Sequence, residues 1–103
     1  MTATQHSPAP WTYDYSPFQG NNGEIPAFEV SDAEGDKVFD TNEDTPCELQ
    51  EANARMASSA PRLLESLVTC ANLLADYDES EGEEGQAYRE ALAAIAEATG
   101  RPA

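Results

Sequence analysis

The segment Glu51–Leu67, EANARMASSAPRLLESL, constrains this chain more than any other stretch. Its leucines and small residues recur at helical spacing, the pattern continues to about Tyr77, and Pro61 stands in its middle. A proline there has no N–H for the preceding turn, and its ring clashes with the carbonyl four residues back. The sequence therefore predicts two helices with a break near Ser59, where Ser58, Ser59 and Ala60 are small enough for a sharp angle. Upstream, Asn42–Glu48 reads as a helix start, with Thr45 as cap, Pro46 at the first helical position and Glu48 three residues after the cap. The first helix, about 46–59, places Leu49, Ala52 and Met56 on one face. The second, about 61–77, carries a stripe of Leu63, Leu64, Leu67, Val68, Ala71 and Leu74, where the core is expected to centre.

Ahead of the helices the period changes from helical to two. Trp11, Tyr13 and Tyr15 alternate with Thr12, Asp14 and Ser16, which places three aromatics on the core face of a strand. Pro17–Pro26 holds Gly20, Asn21, Asn22 and Gly23 between two prolines and reads as a long hairpin loop. Ala27–Val30 and Lys37–Thr41 are two further strands around a turn, SDAEGD, in which Asp32 and Gly35 suit a bulged connection. Asp32, Glu34 and Asp36 look like the opening of a calcium loop. Gly35, however, comes at the fourth position where the sixth is needed, and no glutamate stands at the twelfth, so the turn reads as solvated.

After the second helix, Asp76–Gly85 carries six acids, Asp76, Asp78, Glu79, Glu81, Glu83 and Glu84, and reads as an acidic loop between helices. A last helix, about 86–99, shows Tyr88, Ala91, Leu92 and Ile95 on one face and stops at Gly100, with Arg101 and Pro102 following. The fold class is α+β: a small three-stranded antiparallel sheet over about 11–41, then two or three helices packed on one of its faces. Residues 1–10, with Pro8 and Pro10, form an extended leader, and 11–103 a single domain. Cys47 and Cys70 lack metal-ligand spacing and read as buried thiols of a reduced compartment.

Twenty Asp and Glu against five Lys and Arg give a formal net charge of -15, and the excess is spread along the whole chain. Such a surface repels nucleic acid and anionic membrane, both polyanions that are bound through Lys and Arg. It favours rapid encounter with basic protein surfaces, many of which exist to bind nucleic acid, although acidity also serves solubility. No apolar run approaches the roughly 20 residues of a membrane span, and the start of the chain lacks the pattern of a secretory signal, so the expected location is the cytoplasm. Catalytic constellations are missing from the sequence: there is no GxSxG, no HExxH, no phosphate loop, and His6 has no second histidine to act with. No cofactor or metal is implied. The chain reads as non-enzymatic, and twenty acids in so short a chain make chance carboxylate pairs uninformative.

Two strings carry a resemblance. HSPAPW, His6–Trp11, resembles an HTPGPW-like start, and EANARMASSAPRLLE, Glu51–Glu65, resembles an ANARLIAAAPELLEAL-like helical segment, of small bacteriophage and prophage proteins. Ala9 replaces the usual glycine, Met56 a leucine, Ser58 and Ser59 alanines, and Arg62 a glutamate. The resemblance implies a phage accessory protein and implies no activity. Small acidic phage proteins often act by binding and blocking host machinery. The leading expectation is thus a protein in the host cytoplasm that inhibits a nucleic-acid-handling defence complex, a CRISPR effector or a restriction enzyme, by a surface that mimics DNA. Its partner would be a basic protein surface, with no direct binding to nucleic acid or membrane. The expected contact residues are Asp32, Glu34 and Asp36 of the first turn with the six acids of the second loop. The alternative is an assembly or regulatory module that binds a protein through an apolar helix face. A homodimer through the sheet edges is allowed by the short strands and opposed by acids along them.

Overall fold

The computed structural model describes residues 6–41 and 44–100. Residues 1–5 of the expected leader, Asn42 and Glu43 of the expected helix start, and Arg101 and Pro102 of the expected helix stop lie outside them. The elements run β1 (Thr12–Tyr15), β2 (Phe18–Gly20), β3 (Gly23–Ile25), β4 (Phe28–Ser31), β5 (Lys37–Asp40), α1 (Cys47–Ser58), α2 (Ala60–Leu73), a 3-10 turn (Ala75–Tyr77) and α3 (Glu83–Thr99). The fold is α+β, a small antiparallel sheet followed by helices. Two compact units are formed, Ser7–Arg62 and a helical unit from Leu63 onward.

In the first unit the sheet has the order β1-β4-β5, all antiparallel, so the expected three-stranded meander is present. Between β1 and β4 the chain makes a small separate hairpin, β2-β3, in the stretch that reads as loop. Its pairs are Phe18 with Ile25 and Gln19 with Glu24, so the prolines at 17 and 26 bound the ladder without entering it. Register places Tyr13 opposite Val30 and Tyr15 opposite Phe28, and both tyrosine rings meet Phe28 in tilted contacts at 6.2 and 5.3 Å. The ladder of β4 and β5 is irregular between Val30 and Ser31, and the extra residue, Val38, packs against the core.

That core is Phe28, Val30 and Ala54, with Trp11, Tyr13 and Val38 against it. Burying Phe28 and Val30 contributes roughly 1.5–3 kcal/mol each. This corrects the expected centre on the leucine stripe of α2, of which Ala71 alone is fully buried, Leu64, Leu67 and Leu74 are half-buried, and Leu63 and Val68 are exposed. It also corrects the face of α1: Gln50 and Ala54 are buried, and Leu49 and Met56 face solvent. Ala54 has the smallest side chain that still adds apolar area, which lets the helix backbone approach β4 closely.

Gln50 is 1% exposed, and both polar atoms of its amide are hydrogen-bonded. Its Oε1 accepts the Thr41 hydroxyl at 2.5 Å and its Nε2 donates to the Thr45 carbonyl at 2.8 Å, while Thr41 Oγ1 accepts the Phe28 N–H at 2.9 Å. Thr45 therefore serves through its carbonyl. Among the described residues no side chain caps α1, whose cap position is Pro46, so Thr45 and Glu48 do not form the expected capping box.

The break before Pro61 is present. α1 ends at Ser58, and the Ser58 and Ser59 hydroxyls both donate to the Arg55 carbonyl at 3.0 Å, an oxygen whose regular helical donor, the Ser59 N–H, turns instead to the Met56 carbonyl at 3.1 Å. In the helical unit, α3 turns Gly85, Tyr88, Ala91, Leu92 and Ile95 away from solvent, as the periodicity predicts, and ends at Gly100 in the left-handed conformation, φ +71°. Cys47 and Cys70 are exposed, which corrects the reading of buried thiols: each occupies a helix position outside the covered face.

Candidate functional site

The expected contact acids fall on both units, and each unit is built differently. In the first, Asp32 follows β4 and is buried. Its Oδ1 accepts the N–H groups of Glu34 at 2.9 Å and Asp36 at 3.0 Å, and its own N–H donates to the Asp36 carbonyl at 2.9 Å. Asp32 therefore folds the turn. Glu34 and Asp36, held by it, are exposed. The Ala33 N–H donates to the Pro8 carbonyl at 3.0 Å, and Trp11 Nε1 to the Ser7 carbonyl at 3.0 Å, so this turn is tied to the segment that precedes β1.

In the second unit, Asp76, Asp78, Glu79, Glu81, Glu83 and Glu84 are all exposed, and the segment is braced. Arg89 Nη1 donates to the carbonyls of Asp78 at 3.2 Å and Ser80 at 3.0 Å, and Ser80 Oγ accepts the Gly82 N–H at 3.1 Å. Gly85 lies against Ser80 so closely that a Cβ there would stand 2.1 Å from the Ser80 carbonyl oxygen. α3 starts at Glu83, three residues earlier than predicted. Glu83 and Glu84 thereby sit in its first turn, where unpaired N–H groups and the helix dipole favour carboxylates.

The sheet supplies acids that sequence reasoning missed. Asp14 stands opposite Glu29, and Glu29 opposite Asp40, so one row across β1, β4 and β5 is a line of three carboxylates. Alternation puts this row on the face away from Phe28, Val30 and α1. Adjacent strands are about 4.8 Å apart, which sets the spacing of the row. Its neighbours on the same face are Thr12, Ser31 and Lys37. Lys37 Nζ bonds Asp40 Oδ2 at 2.9 Å, which holds the ammonium above its usual pKa, and the Ser31 hydroxyl lies 3.4 Å from Glu29 Oε1. A signal for this face was present: in TYDY and FEVS the acid lies between apolar residues of a period-two strand. The register that aligns the three was not in the sequence.

Carboxylates of this kind accept hydrogen bonds and ion pairs from Lys and Arg. Among the described residues no group of three or more His, Cys, Asp or Glu is placed to hold a metal ion, and no helix is long and apolar enough to cross a membrane.

Residues 1–102 match the family model of Salmonella phage P22 protein Y8K6. The chain belongs to this family. Membership in the Y8K6 family supports the resemblance to small phage proteins at that level. Comparison with curated proteins and with solved structures gave no match.

On the Y8K6-family chain the helices also leave apolar side chains uncovered. Met56 on α1 is 72% exposed and Leu73 on α2 78%, with Leu49 and Leu63 also exposed. These are the large apolar residues that the buried faces of α1 and α2 do not use.

Proposed function

We propose that this phage protein binds the basic, nucleic-acid-binding surface of a host defence complex and so keeps DNA or RNA from it. The observation that carries the reading is the carboxylate row Asp14, Glu29 and Asp40 on the open face of the sheet. Like charges directly opposite each other oppose sheet formation, so the Asp14–Glu29 pair works against the fold's own stability, while Asp40 at the end of the row is held by Lys37. A surface serving solubility alone has no need of this alignment. A row spaced at about 4.8 Å also approaches the charge density of a nucleic-acid strand, which has one phosphate per about 3.4 Å of axis. Glu34 and Asp36 extend the negative surface of this unit, and the six acids of the 76–84 segment form a second braced display. CRISPR effectors and restriction enzymes are the target classes, and the protein acts without catalysis, cofactor or direct nucleic-acid contact.

The test is displacement. Titrated into a panel of purified effectors and restriction enzymes bound to labelled DNA, the protein releases the DNA from its target, and added DNA restores the original complex. A ternary complex of protein, enzyme and DNA contradicts the reading.

A second reading has its own observation, the uncovered Leu49 and Met56 on α1. As an assembly or regulatory module the protein would bind a partner through that face. Met56→Glu would then abolish binding, while amide substitutions in the carboxylate row would leave it unchanged.

A further inference from the structure

The outward seam of α2 points to an occupant. The buried or half-buried positions from Leu64 to the residue that follows α2 are Leu64, Leu67, Ala71 and Leu74, one stripe at spacing three, four, three. A second stripe with the same spacing, Leu63, Ser66, Cys70 and Leu73, lies roughly 100° around the helix and is exposed at every position. That spacing is the a/d pattern of a helix-pairing seam, with small residues in its middle that let two backbones approach.

We propose that this seam pairs with the same seam of a second copy of the chain, antiparallel. Two features of the charge distribution favour a second copy. From Leu63 to Ala75 the only charge is Glu65, so this helix is where two copies of a protein of charge -15 approach with least repulsion. Antiparallel pairing about the middle of the seam also brings Arg62, at the start of α2 in one copy, beside Asp76, which follows the end of α2 in the other. A parallel pair instead sets Arg62 against Arg62 and Asp76 against Asp76. In the antiparallel register Leu63 meets Leu73 of the second copy and Ser66 meets Cys70.

Sedimentation of the full chain over micromolar to millimolar concentration tests the pairing. The expected result is a monomer–dimer equilibrium that salt strengthens, because screening relieves the repulsion of like-charged copies. Leu73→Glu weakens it by at least about tenfold, since each dimer loses two buried leucines. The circular dichroism melt of Leu73→Glu, taken at a concentration where the native chain is a monomer, stays unchanged, because the side chain is exposed in the single chain. With Cys47→Ser in the background, adding Ser66→Cys allows a short bismaleimide to link residue 66 of one copy to Cys70 of the other, and linked dimer rises well above that formed by Cys70 alone. A monomer at every concentration overturns the proposal, and so does a dimer indifferent to Leu73→Glu. Cross-linking as efficient without Ser66→Cys as with it overturns the antiparallel register. A monomer that loses a different protein partner on Leu73→Glu also overturns it and assigns the seam to that protein.

Discussion

Asp14 stands directly opposite Glu29 in the β1–β4 pair, and no cation separates them in the register. Cross-strand like charges in this position destabilise a sheet by a few tenths to about 1 kcal/mol. Glu29→Gln, which removes the central charge of the row, is therefore expected to raise stability by roughly 0.2–1 kcal/mol and the melting temperature by a few degrees. Calorimetric melting checks this, and a lowered midpoint would show that Glu29 has a structural role the row does not explain.

The opposite sign is expected at Gln50. Gln50→Leu keeps the volume near that of the native side chain but leaves the Thr41 hydroxyl and the Thr45 carbonyl without their partner. Each such loss costs about 1–3 kcal/mol, so urea unfolding should move by roughly 2–6 kcal/mol. A neutral Gln50→Leu would mean that water replaces both bonds.

Gly85→Ala tests the brace under the second acidic segment. Alanine is favoured over glycine in a helix by about 1 kcal/mol, yet here its Cβ would stand 2.1 Å from a backbone oxygen. Overpacking of this kind costs about 1–3 kcal/mol, so the substitution is expected to be destabilising and to shift the amide resonances of Asp78–Gly82. Retained resonances together with a raised melting point would remove the close approach of Ser80 from the account.

Asp32 separates folding from charge. Asp32→Asn keeps an acceptor for the Glu34 and Asp36 N–H groups and is expected to be nearly neutral for stability, whereas Asp32→Ala loses both bonds, at roughly 1–2 kcal/mol. Binding to the partner should follow the fold, unaffected by Asp32→Asn. Weakening by Asp32→Asn equal to that from Glu34→Gln would make Asp32 a contact residue.

Much of this architecture was legible where a local rule decided it. The alternation from Trp11 to Ser16 gives β1 and sets Trp11 and Tyr13 against the core, although Tyr15 at its end stays 49% exposed, and Pro61 gives the helix break. The braced turn at Asp32 was readable as a turn, although the burial of its carboxylate was not. Faces decided by tertiary contact were misread. Leu49 and Met56 are more apolar than Gln50 and Ala54, so a pattern argument turns α1 the wrong way. The structure buries Gln50 because Thr41 and Thr45 satisfy its amide, and Ala54 because it admits β4. The carboxylate row had the same obstacle, since register between distant strands is set by pairing and not by local sequence.

The central claim is that the aligned carboxylates contact a basic nucleic-acid-binding surface. The most direct measurement is the affinity for the target enzyme as a function of salt, for the native chain and for the triple variant Asp14→Asn, Glu29→Gln, Asp40→Asn. The account predicts steep weakening of native binding with rising salt, loss of at least about tenfold in the triple variant at low salt, and a shallower salt slope for it. Binding that is insensitive to salt, or a triple variant that binds as tightly as the native chain, would contradict it.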